Sequence, residues 1–249
     1  MKKSIEILGL LFLLAGFVSA QAPTGDDILK QIDKNLVLDK AVSQTTMIIH
    51  GRAGTRSVKS KTWTEGRDKA FVEYTDPPRE KGKKMLRLGD QIWNYIPEPT
   101  DRIITISGHL LRQSVMGSDL SYEDITENRK LIDLYNAKVT GSEKLNGRDC
   151  YVVELTAKQE DITYYSRKLW VDKERFLPLK EERYARSGKP LKMSEITEVF
   201  RVDNRWYPKK MTFRDLMQTG GEGTEYIIDN INFHVSIPDA QFTKAALKK

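Results

Sequence analysis

Gly141-Ser142-Glu143-Lys144-Leu145-Asn146-Gly147-Arg148-Asp149-Cys150-Tyr151-Val152-Val153-Glu154-Leu155-Thr156 is the stretch that decides the fold. Asn146-Gly147 is a strong short-range hairpin signal, because both residues accept the positive φ that a type I′ turn demands. The arm after it, Arg148 to Thr156, carries the alternating run Cys150-Tyr151-Val152-Val153-Glu154-Leu155. That is the pattern of a β-strand.

Working outward, the same pattern recurs with turn residues between the runs. Towards the N-terminus the runs are Thr45–Arg52, Ser57–Thr64, Ala70–Tyr74, Lys84–Leu88, Gln91–Ile96 and Arg102–Ile106. Asp76-Pro77-Pro78, Gly89-Asp90 and Pro97-Glu98-Pro99 punctuate them. Towards the C-terminus they are Ser166–Val171, Phe176–Tyr184, Leu191–Val202, Trp206–Asp215 and Thr224–Val235. The fold class is therefore mainly β: one antiparallel sheet of about eleven strands, joined by sequential hairpins. A sheet this wide must curl, close or be covered.

Two segments break the pattern. Ile28, Leu29, Ile32 and Leu36 recur at helical spacing, which predicts an N-terminal helix capped by Asp26 or Asp27. Between Ser107 and Asp133 the alternation stops; Leu110, Leu111, Val115 and Met116 predict a short helix interrupted at Gly117-Ser118-Asp119. The tail from Pro238 is expected to dock through Phe242 and Leu247.

The chain opens with Lys2 and Lys3, a nearly unbroken apolar run from Ile7 to Val18, and small residues at Ser19 and Ala20. This reads as a signal peptide over residues 1–20, cleaved after Ala20, with residues 21–249 as one exported domain. The apolar run is too short for a membrane span, which takes roughly 20 residues. No cysteine follows the run to carry a lipid. The single cysteine, Cys150, rules out an internal disulfide and reads as a small buried hydrophobe. The formal charge of the whole chain is +6, and the signal takes two lysines and one glutamate with it, leaving +5. The basic residues are dispersed among acids, without the stacking aromatics of a single-strand nucleic-acid groove. Mild attraction to anionic lipid surfaces fits the excess better.

Signals for catalysis are thin. The three histidines, His50, His109 and His234, stand in no zinc spacing, and neither a GxSxG elbow nor a phosphate loop is present. Ser107, His109, Ser114 and Asp119 are near in sequence, but triads are defined by geometry and not by proximity along the chain. Asp119, Glu123 and Asp124 read as a capped, solvated loop. No cofactor and no metal are expected, and the chain reads as a monomeric non-enzyme. Trp93-Asn94-Tyr95-Ile96, Phe71 to Tyr74 and Leu169 to Val171 carry bulk on both faces. Either a lid over an apolar pocket or an ordinary two-layer core satisfies that pattern.

Several segments resemble the LolA-like family of outer-membrane lipoprotein-sorting proteins. They are Gln91 to Pro97 followed by Arg102-Ile103, Arg112 to Ile125, Leu169 to Lys173 with Leu177 to Lys180, and Tyr207-Pro208 leading to Met211. The stretch from Met116 to Ile125 is the most specific. The resemblance implies a half-open β-barrel with a short helical lid, and a periplasmic carrier that receives acyl chains of a lipid or lipoprotein. It also implies an inner-membrane exporter of the ABC or RND type and an outer-membrane acceptor as partners. On that reading Trp63, Phe71, Tyr74, Leu86, Leu88, Trp93 and Tyr95 are the acyl-cavity candidates. Leu110, Leu111, Val115 and Met116 are the lid candidates. An envelope enzyme acting on lipid esters and a non-catalytic adaptor of a lipid-export complex are the competing functions.

Overall fold

The computed structural model describes residues 22–126, 130–160, 162–218 and 221–249. The signal-peptide reading of residues 1–20 lies outside them. After a 12-residue helix, α1 (Gly25–Leu36), come β1 (Lys40–Gly51), β2 (Gly54–Glu65), β3 (Lys69–Asp76), β4 (Lys84–Leu88), β5 (Gln91–Ile96) and β6 (Arg102–Ile106). A crossover follows, with 3-10 turns and two short helices, α2 (Tyr122–Thr126) and α3 (Leu131–Leu134). The second half is β7 (Tyr135–Leu145), β8 (Arg148–Ala157), β9 (Ser166–Asp172), β10 (Pro178–Tyr184), β11 (Pro190–Val202), β12 (Arg205–Asp215) and β13 (Gly223–Asn232). The tail ends in two further 3-10 turns, Asp239–Phe242 and Lys244–Lys248.

The strands form one 13-stranded antiparallel sheet in the order β6-β5-β4-β3-β2-β1-β13-β12-β11-β10-β9-β8-β7. All the alternating runs of the sequence pair, so the count is thirteen and not about eleven. The chain starts at the middle of the sheet, meanders to one edge, crosses to the far edge, and meanders back. Asn146 and Gly147 both have positive φ, 48° and 79°, as the hairpin signal requires. The sheet does not close, because β6 and β7 remain unpaired edges.

Alternation sorts the side chains into two faces. Across β1 to β4, Thr45, Met47, Ile49, Val72, Tyr74, Met85 and Arg87 share one face. On the other, Val42, Trp63, Phe71, Leu86, Trp93 and Thr105 follow one another in register. The first face is concave: residues from β1, β2 and β4 line one cavity together with residues from β9, β10, β12 and β13.

Helix α1 covers the concave face at the β7–β9 side. Ile28, Leu29 and Ile32 are at most 3% exposed and pack on Val153, Leu155, Leu169 and Val171. Each such side chain contributes about 1.5–3 kcal/mol of burial. The N-cap is Thr24, two or three residues before the aspartates expected from the sequence; Asp27 is its capping-box partner. At its far end Arg205 donates to the carbonyl of Val37 at 3.1 Å, and Asn35 Nδ2 donates to the carbonyl of Arg175 at 2.7 Å.

The convex face is covered by the tail. Ile237, Phe242 and Leu247 are buried against Phe71, Leu86 and Trp93, with Val42, Trp63, Leu88, Tyr95 and Ile103 around them. Phe242 and Leu247 are the tail residues that the sequence marks for docking.

Gly25 tests the seating of α1. A Cβ there would stand 2.6 Å from the backbone of Ala137 in β7, which cannot swing aside. Gly25→Ala is expected to lower unfolding free energy by about 1–3 kcal/mol, read by urea denaturation; an unchanged midpoint would show that α1 tolerates displacement.

Candidate functional site

The crossover from β6 to β7 runs over the concave face. Leu110, Leu111, Tyr122 and Ile125 pack on Met85, Ile92 and Ile106. Met116 packs with Met47, Ile49, Val58 and Tyr74. Met116 and Gly117 both have positive φ, 52° and 68°. This turn delivers the Met116 carbonyl to the guanidinium of Arg56. A Cβ on Gly117 would meet that guanidinium at 2.8 Å.

Two aspartates anchor the rest of the crossover to the other half of the sheet. Asp119 Oδ1 accepts from the Asp215 amide at 2.9 Å, and its Oδ2 accepts from the Thr224 hydroxyl at 2.7 Å. Its carbonyl accepts from Lys192 Nζ at 2.6 Å. Asp124 Oδ1 accepts from Arg183 at 2.8 Å and from the Tyr164 hydroxyl at 2.6 Å. Its Oδ2 accepts from both the amide and the hydroxyl of Ser121, closing a capping box on α2. Lys192 Nζ lies 3.4 Å from that oxygen. These carboxylates are therefore embedded anchors, and the solvated-loop reading of Asp119 and Asp124 is corrected. Glu123, from the same cluster, accepts from the Thr163 hydroxyl at 2.5 Å.

The network continues into the concave interior. Glu181 accepts from Arg183 and from Arg167, each at 3.0 Å. Arg167, 3% exposed, also donates to the Tyr135 hydroxyl at 3.0 Å. That hydroxyl donates to the carbonyl of Tyr164 at 2.8 Å. Burial alone would raise the pKa of Asp124, but Arg183, Lys192, Tyr164 and Ser121 outweigh it and hold the carboxyl below its ordinary value. For Glu181 burial is again the largest influence, and Arg183 and Arg167 overcome it in the same direction.

Beside this network lies a cavity of about 460 Å³, between α1 and the strands. That is within the range of small-molecule sites, about 300–1,000 Å³. Leu36, Leu38, Leu131, Met211, Ile228 and Ile231 give it an apolar side. Thr45, Thr62, Arg87, Arg167, Glu181 and Tyr226 give it a polar one.

The structure separates the residues that the sequence grouped. Trp63, Phe71, Leu86, Leu88, Trp93 and Tyr95 come together on the convex face, beneath the tail. Tyr74 is on the concave face with Met116. Leu110 and Leu111 pack on that concave face, where Val115 is also buried within the crossover. The lid candidates and six cavity candidates thus stand on opposite faces and cannot enclose one space. Strand period is the reason: neighbours in sequence point to opposite sides. The short helix expected there is a pair of 3-10 turns, Gly108–Arg112 and Val115–Gly117, followed by α2. The sequence missed Arg87, Arg167, Glu181 and Arg183, because charged residues in strands read as solvent-facing. Arg87 and Arg167 stand two positions from the buried Met85 and Leu169, on the same faces, and that was the available signal.

Ser107, His109, Ser114 and Asp119 do not assemble: both Asp119 oxygens are taken by β12 and β13, and His109 is exposed. Among the described residues no group of three or more His, Cys, Asp or Glu side chains is arranged to hold a metal. No helix among them is long and apolar enough to cross a membrane.

A family model described as "-like: Uncharacterized protein" matches residues 66–249. The chain belongs to that family, and its fold is LolA-like. A DUF1329 family protein from Desulfovibrio piger superposes with TM-score 0.80 at 26% identity, over 90% of this chain and 98% of the other. An outer membrane lipoprotein-sorting protein domain from Vibrio parahaemolyticus gives 0.77 at 24%, over 89% and 97%. A LolA superfamily protein from Nitrosomonas europaea gives 0.73 at 23%, over 90% and 100%. No curated protein matches the sequence. The LolA-like half-barrel expected from the residue motifs is therefore the observed fold.

Asp124 is the test of the anchor. Its pKa is depressed in the folded state, so its contribution to stability is present above the unfolded value, about 3.9, and is lost as pH falls through the folded one. Asp124→Asn is expected to speed amide hydrogen exchange across residues 115–125 at neutral pH. It should also flatten the loss of protection that the native protein shows on acidification below about pH 4. Unchanged exchange in the variant would mean that the crossover is held by its apolar contacts alone.

Proposed function

We propose that this protein is a periplasmic carrier: it binds the acyl part of a lipid or lipoprotein and carries it towards the outer membrane. The observation that carries the reading is the concave cavity, open between sheet and helix and bordered by a crossover that separate polar anchors hold down. The LolA-like fold supports it, as does the charged, apolar, small-residue order of residues 1–20, which is that of a signal peptide. An inner-membrane exporter of the ABC or RND type would load it, and an outer-membrane acceptor would receive the cargo.

The chemistry suits a shuttle. A buried methylene is worth about 0.8 kcal/mol, so an acyl chain needs a cover to cross water. Binding without bond making is enough for that task. The relevant apolar side is Leu36, Leu38, Leu131, Met211, Ile228 and Ile231, and the aromatic cluster beneath the tail serves as packed core.

Protein isolated from the periplasm and analysed by native mass spectrometry is expected to retain lipid, with one ligand per chain. Met211→Trp, which adds bulk to the cavity, is expected to fold as the native protein does and to reduce acyl-probe binding about tenfold or more. Absence of co-purified lipid together with no binding of acyl probes would overturn the carrier reading; turnover of acyl esters would replace it with the enzyme reading.

A further inference from the structure

The polar side of the cavity carries an imbalance. Its ionisable lining is Arg67, Arg87, Arg167 and Arg183 against Asp33 and Glu181. Three of the arginines are matched: Arg67 meets Asp33 at 2.5 Å, Arg167 meets Glu181 at 3.0 Å, and Arg183 meets Asp124 at 2.8 Å.

Arg87 is different. It projects from β4 onto the concave face, is 9% exposed, and bonds to two neutral acceptors. One terminal nitrogen donates to the carbonyl of Arg67 at 2.6 Å and the other to that of Gly89 at 3.3 Å. Among the described residues no carboxylate is in ion-pair contact with it; Asp68 acts on it only through space. A guanidinium keeps its charge and presents five N–H donors, which two carbonyls do not exhaust. A buried charge with no carboxylate in contact is costly, and a fork of donors matches a carboxylate or phosphate closely. Thr62, Thr64 and Tyr226 line the same cavity, as do apolar residues of α1 and β13.

We propose that the cavity selects acyl ligands with a single anionic head, a carboxylate or a phosphate monoester, and that Arg87 receives that head. The inference rests on the carrier reading and narrows it to a ligand class. The alkyl chain follows Leu36, Leu38, Ile228 and Ile231, and the head completes the donor fork that the protein leaves partly used.

The test compares ligands that differ only at the head. The protein, freed of lipid, is titrated with a fluorescent polyene fatty acid and with its methyl ester. The acid is expected to bind at least tenfold tighter, the scale of a charge-assisted bidentate contact. Arg87→Gln is expected to bring the acid-to-ester ratio close to one, and Arg87→Lys to keep part of it. In competition on the native protein, hexadecyl phosphate and palmitate should displace the probe at lower concentration than hexadecyltrimethylammonium. Which of those two anions competes better tells a phosphate head from a carboxylate. Equal binding of acid and ester, or an unchanged ratio in a folded Arg87→Gln, would overturn the head-group inference and leave the carrier reading standing. Binding of neither probe would remove both. If Arg87→Gln does not fold, the competition on the native protein decides: a cation that displaces as well as the anions overturns the proposal.

Discussion

The ladder between β1 and β13 is the pairing on which the architecture depends. Every other strand pair joins neighbours in sequence, and this one joins strands almost two hundred residues apart. It fuses two meanders into one sheet with both chain ends of the barrel at its centre. Two consequences follow from geometry. The edges of the sheet become β6 and β7, which are consecutive in the chain, so the link between them must span the whole opening. The tail that leaves β13 starts from the middle of the sheet and reaches the convex face of β2 to β5 directly. The placement of the crossover and of the tail is therefore a product of one non-local register. Such a pairing carries a large loop-closure cost before its contacts form.

That topology divides labour between the two faces. The convex face of the first meander is dry and aromatic, and the tail fills it with Ile237, Phe242 and Leu247. The concave face is mixed. Its apolar patches hold α1 and the crossover, and between them threonines, tyrosines and ion pairs surround open space. The crossover is tied to both halves of the sheet: Arg56 holds Met116 from β2, and Lys192, Thr224 and Arg183 hold the aspartates from β10, β11 and β13. A segment fastened by polar contacts at several points, over apolar contacts of modest area, can be released in steps.

The sequence made the strands legible because alternation and turn dipeptides are local signals. All thirteen strands correspond to runs visible in the chain, and the Asn146-Gly147 and Gly89-Asp90 turns fall where expected. The helix was legible from Ile28, Leu29 and Ile32, and the tail from Phe242 and Leu247. Which face each strand turns inward was not legible, because Ala70 and Phe71, or Leu86 and Arg87, are both buried, on opposite sides. Bulk on both faces erases the asymmetry that would mark an interior. The anchors were hidden for another reason. Asp119 and Asp124 find their partners at Arg183, Lys192, Asp215 and Thr224, between 59 and 105 positions away. Carboxylates without a nearby cation in sequence look solvated until the sheet curls.

A mixed cavity is also the physically sensible one for a carrier. Burying ten methylenes is worth about 8 kcal/mol, which corresponds to micromolar affinity before ordering costs are subtracted. A wholly apolar interior of greater length would hold its cargo too tightly to hand it on. On the carrier reading, interrupting the track with Thr45, Thr62 and the Arg167–Glu181–Arg183 network would cap the apolar contribution and shift part of the recognition to the head of the ligand. Charge-assisted bonds are directional and weaken sharply when water enters. On the carrier reading, loosening the crossover would admit water to the polar side first, and release would begin at the head and not along the chain.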